Sequence, residues 1–337
     1  MKKKLFRFLV FLAIGVLLFC GFWKVFHFKY ARQLEVYYGL PRDTVDVLIV
    51  GSSHAYKHID PSVLYEEEGI SAYVLGSAAQ PIWNSYYYIV EALRTQSPKL
   101  VIVECYKTTV PSDYSDDPTT VKAVSNMMLS WNRMEAIYNS VGDRSKLVDY
   151  YLEFPWFHSR YKELGSGDFV LDYGSTAKNR YFLGYNPLNK SIETELPEWD
   201  KVTERKELTE KNALYLDKII SLSKEKGFDL LFIITPFSDK TADRQLTYNA
   251  VQDFADEKGV LFLNCNLLGD EIGLDPKVDF SSSRHLSVIG AEKTTRYLAQ
   301  YIRQHFELED HRGDSRFDRW EQNMLQHKAR REKRKKQ

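Results

Sequence analysis

Apolar positions in this chain gather into short β-branched runs separated by longer stretches with helical spacing. Val45 to Val50, VDVLIV, is the first run, and it reads as a buried strand. Gly51 breaks it, two serines and a histidine follow, and Asp60-Pro61 has the form of a helix start, with Asp as N-cap and Pro at the first position. SAYVLGSAAQ is a second strand ending at Gly76. Pro81 then opens a helix, IWNSYYYIVEALRTQ, and KLVIVECY (99–106) is a third strand. The rhythm returns after a break with a helix ending at Gly227, the strand FDLLFIITPF, a helix ending at Gly259, the strand VLFLNCNLL and a closing helix, AEKTTRYLAQYIRQHF. Strands alternating with helices predict an α/β domain: a parallel sheet with helices on its faces.

Residues 107–205 interrupt this period. The segment opens on turn-rich DYSDDPTT and then becomes dense in rings: Tyr150, Tyr151, Phe154, Trp156, Phe157, Tyr161, Tyr173, Tyr181, Phe182 and Tyr185. An insertion of this kind reads as a lid packed over the sheet, although aromatic rings at a cleft also stack on sugars. Asp113, Asp116 and Asp117 read as a solvated turn.

The first residues follow another pattern. Phe8 to Trp23 is sixteen residues without a charge, and with Arg7 and Lys24 snorkelling the apolar span reaches from Leu5 to Phe28. That suits a bilayer core. Lys2, Lys3, Lys4 and Arg7 put the N-terminal end in the cytoplasm and everything after residue 30 outside. A cleavable signal peptide is the alternative, but no small-x-small site follows the run. The chain therefore divides into an anchor (1–28), a connector (29–44), an α/β domain (45–306, with 107–205 inserted) and a charged, solvated tail (307–337). Lys plus Arg and Asp plus Glu number 46 each among 337 residues, so no overall field selects a nucleic acid. The three cysteines form neither a disulfide framework nor a zinc pattern.

Two loops concentrate candidate chemistry: GSSH at 51–54, and DFSSSRHLSVIG at 279–290. In a doubly wound sheet both lie at the carboxyl ends of strands, where ligands bind. A serine nucleophile needs a base, and His285 is the candidate. Gly51 and Gly76 let backbone N–H groups approach an oxyanion, with Ser53 N–H and Gly76 N–H as the pair. From the residues alone the plainer reading stays open: a Ser-rich helix entry and a capping histidine. His54 and His58 flank the serines without the acids or further histidines that a metal requires, so neither metal nor cofactor is expected. Arg284 is either a surface residue or a clamp for a substrate carboxylate or phosphate.

These blocks in this order resemble the SGNH (GDSL-like) hydrolase superfamily, in particular its membrane-anchored branch with the alginate O-acetylation proteins and the D-alanyl transfer protein of teichoic acid. GSS at 51–53 stands where the family has GDS, VLGSA around Gly76 resembles the second block, and HLSVIGAEK from His285 resembles the last. The resemblance implies a flavodoxin-like three-layer SGNH fold, Ser53 as nucleophile, His285 as base and Gly76 N–H in the oxyanion hole. Two positions depart from it. The third block's asparagine is missing from VECYKTT, which leaves Gln80 or Tyr106 as third donor. The acid three residues before the histidine is replaced by Ser282, which leaves Asp279 as the nearest carboxylate.

The resemblance implies an esterase or O-acyltransferase acting outside the membrane on a cell-surface polysaccharide or teichoic acid, with a membrane-bound O-acyltransferase as partner. The rival from another class is a non-catalytic binding or assembly protein of the same fold. A phosphodiester hydrolase would need metal ligands that the sequence lacks.

Overall fold

The protein is described from a computed structural model, which covers residues 2–26, 32–110, 113–115, 120, 123–124, 127–153, 157–169, 183–241 and 243–335. Of the aromatic and acidic positions singled out above, Phe154, Trp156, Tyr173, Tyr181, Phe182, Asp116 and Asp117 lie outside these residues.

Five strands form one parallel sheet: β1 (Val47–Gly51), β2 (Ala72–Gly76), β3 (Leu100–Glu104), β4 (Asp229–Ile234) and β5 (Leu261–Asn264). Their order, β2-β1-β3-β4-β5, is the flavodoxin-like order, in which the chain changes direction between β1 and β3. That switch point is where the end of β1 is left open to a ligand.

The main helices among the described residues are α1 (Lys2–Phe26), α2 (Arg32–Tyr38), α3 (Ser53–His58), α4 (Pro61–Glu68), α5 (Ile82–Ala92), α6 (Trp131–Ser140), α7 (Leu147–Leu152), α8 (Glu210–Lys226), α9 (Asp243–Lys258), α10 (Val288–His305) and α11 (Asp318–Lys335). Side chains alternate across the sheet with the strand period of two. Leu48, Val50, Val101, Val103 and Phe232 face one core with α2, α5, α8 and α9. Val47, Ile49, Leu100, Ile102, Leu231 and Ile233 face the other with α3, α4 and α10. Both faces are covered, so the strands are apolar throughout rather than alternating. The expected signals at the helix ends are present: Asp60 Oδ1 accepts from Ser62 N–H at 2.9 Å, and Gly227 takes the left-handed conformation behind α8 with φ 77°.

Within the connector α2 buries Leu34, Val36 and Tyr37, and Gln33 reaches the sheet edge. Two expectations need correction. The C-terminal segment is not a solvated tail, because α11 packs on α4. Phe317 and Trp320 are buried, Trp320 Nε1–H donates to the Ala72 carbonyl at 2.9 Å, and His327 Nδ1 lies 3.0 Å from Asp60 Oδ2. The loop before the last helix is built, too: β6 (Phe280–Ser282) and β7 (His285–Leu286) pair antiparallel.

The described part of the insertion lies on α5, where Trp83 Nε1–H donates to Ser140 Oγ at 3.0 Å, and it touches α1. Tyr150, Phe157 and Tyr185 are buried as packing, whereas Tyr161 is exposed.

Candidate active site

Ser53 is the first residue of α3, directly after the turn that ends β1. Ser52 makes that turn. Its backbone N–H and its hydroxyl both donate to Glu104 Oε2, at 3.1 and 2.7 Å, and its oxygen accepts the His54 N–H at 3.3 Å as the cap of α3. Glu104 is at the end of β3 and is buried. Its other oxygen accepts the Tyr106 N–H at 2.5 Å. Burial pushes this carboxyl up to about 7, against the pull of the Ser52 and Tyr106 hydrogen bonds. Gly51 is required here because a Cβ would come within 2.6 Å of Glu104 Cβ. Of the two serines, Ser52 is thus the buried structural one and Ser53 is half-exposed.

His285 opens β7. Leu286 N–H donates to His58 Nε2 at 3.2 Å, which ties β7 to α3, while the other nitrogen of that ring lies 2.7 Å from Thr235 Oγ1. Since Nε2 of His58 must accept, its Nδ1 carries the proton and donates to the threonine. Ser287 caps α10 immediately after, accepting the Ile289 N–H at 3.2 Å and donating to the Val278 carbonyl at 2.8 Å.

These elements bring Ser53 Oγ to 2.8 Å from His285 Nε2, across 232 residues of sequence. The distance is that of a normal hydrogen bond, and the serine donates when Nε2 is unprotonated. Burial, then the charges of Lys57 and Arg284, lower the His285 imidazole to about 4. It is neutral at physiological pH and can take a proton.

The remaining candidates do not all join this pair. Asp279 is buried, but its Oδ2 accepts from Lys293 Nζ at 2.7 Å and from Asp275 N–H at 2.6 Å. Its role is to hold its own loop, on which Gly290 packs so closely that a Cβ would collide with the Asp279 carbonyl. No hydrogen bond joins it to His285. Ser282 occupies the acid's place, with Oγ 3.4 Å from His285 Nδ1. Gly76 N–H points at Gln33 Oε1, 3.3 Å away, so the expected oxyanion pair is half covered. Gln80 is buried with Nε2 donating to Ser85 Oγ at 3.1 Å. The Tyr106 ring stacks on His54 with centroids 3.6 Å apart, and the His54 ring is in turn 5.4 Å from that of His285. The Tyr106 hydroxyl is buried with no hydrogen bond among the described residues. Arg284 is exposed.

Two participants are absent from the sequence reading. Glu104 carried a signal, being a lone acid that ends an otherwise apolar strand. Gln33 carried none, because only the folded chain brings the connector to the end of β2. His54 and His58 are both held well below the usual imidazole range, chiefly by burial, and so line the site as neutral rings. A cleft of about 430 Å³ opens beyond Phe237, between Trp199 and the 266–274 segment.

No family model matches the chain. No curated protein matches it either. Among solved structures it is similar to a "putative acylhydrolase" from Bacteroides fragilis NCTC 9343, 10% identical, with 82% of this chain and 95% of that one covered at a TM-score of 0.40. Overlap at that level brings no function across.

Proposed function

We propose that the protein is a serine acyl-esterase or O-acyltransferase, with Ser53 as nucleophile and His285 as base. The observation that carries this reading is the 2.8 Å contact between Ser53 Oγ and a neutral His285 Nε2. His285 takes the hydroxyl proton as Ser53 Oγ attacks an ester carbonyl. The Ser53 N–H, at the first turn of α3, faces the developing oxyanion. Collapse returns the proton to the leaving alcohol and leaves an acyl-Ser53. Water or a second alcohol, deprotonated by His285, then removes the acyl group.

In this reading α1 is an uncleaved anchor, the site lies outside the membrane, and the acceptor is a hydroxyl of a cell-surface polysaccharide or teichoic acid. A membrane-bound O-acyltransferase supplies the acyl group. These finer assignments rest on the family resemblance and on the basic residues in the first turns of α1. The test is mass spectrometry of the full chain after brief exposure to p-nitrophenyl acetate: an acetyl group on Ser53, absent in Ser53→Ala, is expected. A folded chain that releases no p-nitrophenol and carries no acetyl group contradicts the proposal.

One pair of observations favours the second reading, a non-catalytic member of the same fold. Asp279 is committed to Lys293, and Gly76 N–H is covered by Gln33. If that reading holds, Ser53→Ala leaves the biological role intact.

A further inference from the structure

We infer that the insertion rests on the membrane that α1 crosses, with Leu129, Trp131, Val148, Leu152, Tyr161 and Phe169 in the headgroup layer. This builds on the reading of α1 as an anchor. Lys2–Phe26 is long and apolar enough to span a bilayer.

The last turns of α1 are gripped by the insertion. The guanidinium of Arg133 lies over the Trp23 ring, 5.5 Å from its centroid, and is ion-paired with Glu153; both charged groups are buried. Glu153 also takes a hydrogen bond from Trp23, and Arg160 Nη1 donates to the Phe26 carbonyl at 2.9 Å. Phe157 closes an apolar cavity of about 220 Å³ with Leu18, Phe19, Phe22 and Trp23. From Leu18 to Phe26 a helix rises roughly 12 Å. The insertion therefore follows α1 downward past the level where the apolar span meets water. Only a body seated in the interfacial layer can do that, and about 5–10 Å is the depth to which apolar faces sink there.

Its surface composition agrees. Outside α1, all the exposed Trp, Tyr and Phe side chains among the described residues fall between 114 and 169. Trp131 is 84% exposed, and Tyr161 and Phe169 adjoin the Arg160–Asp168 pair that holds the end of α1. Elsewhere the exposed apolar residues are scattered aliphatics such as Leu214 and Leu325, which need no explanation. Amphipathic rings belong at the water–lipid boundary, where one side is apolar and the other wet.

The test uses full-length protein in phosphatidylcholine vesicles with and without nitroxide-labelled lipid. A fluorophore is placed on native Cys20 in α1 or, in a Cys20→Ala background, at Trp131→Cys, Tyr161→Cys or Leu325→Cys; Cys105 and Cys265 are buried and stay unlabelled. Probes at 20, 131 and 161 are expected to lose most of their emission to the nitroxide lipid, and the probe at 325 to keep it. If position 20 is quenched while 131 and 161 behave like 325, the inference fails and the anchor stands. Blue-shifted emission at 131 that the lipid does not quench means that protein covers the patch, which also overturns it. Failure to quench at Cys20 removes the anchor itself, and this inference with it.

Discussion

Ser282 Oγ stands 3.4 Å from His285 Nδ1, and the same oxygen accepts the backbone N–H groups of Arg284 and His285 at 3.3 and 3.1 Å. Those two bonds use both lone pairs of the hydroxyl, so what it has left to offer Nδ1 is its own hydrogen. A donor at Nδ1 favours the tautomer with the proton on Nε2. That tautomer cannot accept from Ser53. A carboxylate at 282 would hold the opposite one and would stabilise the imidazolium that forms during attack.

Ser282→Asp is therefore expected to raise kcat/KM toward an activated ester. The ceiling is about 10⁴, the loss seen when a triad aspartate becomes asparagine. Steady-state hydrolysis of p-nitrophenyl acetate measures it. A rate unchanged from the parent would mean that the tautomer does not limit the reaction.

In the proposed mechanism His285 also sets the pH dependence of activity. Its folded value of about 4 lies below the ordinary imidazole value of 6.5, so the base stays unprotonated well into acid. Activity is expected to hold as pH falls from 8 to about 5 and to be half lost near 4. In Ser282→Asp the new carboxylate favours the imidazolium, and the acid limb moves up toward the usual imidazole range. A pH–rate profile of both proteins decides this; a parent limb near 6.5 would contradict the assignment.

Glu104 gives stability the opposite slope. Its folded value is raised from 4.5 to about 7, so the folded chain binds a proton more tightly than the unfolded one. Its contribution is fully present below the unfolded value and is lost as pH rises through 7. The depressed histidines act below about 6.5, where the unfolded chain takes up their protons. Between pH 6.5 and 8 Glu104 should therefore cost about 1 kcal/mol of stability. Glu153 is raised to about 7 by burial as well and adds to the same fall, so urea unfolding of the parent should show it and Glu104→Gln should reduce it without abolishing it.

Trp320 joins the C-terminal helix to the sheet edge. Trp320→Ala removes a fully buried indole and its hydrogen bond to Ala72, and should cost about 3–5 kcal/mol. Chemical denaturation checks this. A cost near zero would show that α11 is dispensable to the fold.

The five sheet strands and the main helices that cover them were legible because each is a local pattern, an apolar run or a helical period with its own caps. Ser53 and His285 were legible as candidates because they sit in loops that the strand–helix alternation brings to one edge. The acid was not. Asp279 is six residues from His285 in sequence, but it is taken by Lys293 from the following helix, a contact no spacing rule records. The C-terminal helix and the turn before it left a signal in their spacing: Phe317, Trp320, Met324 and His327 recur every three or four residues and all are buried. Charge density concealed it, because Arg331 and His327 are inward-facing and paired with acids on α4 or at its cap rather than solvated.

The most direct measurement is labelling of the full-length chain by a fluorophosphonate serine probe, read by mass spectrometry, with Ser53→Ala and His285→Ala as controls. The 2.8 Å Ser53–His285 contact predicts a single adduct on Ser53 that disappears in both variants. A folded parent that takes no label, or a label that persists when His285 is replaced, would contradict an activated nucleophile at this site.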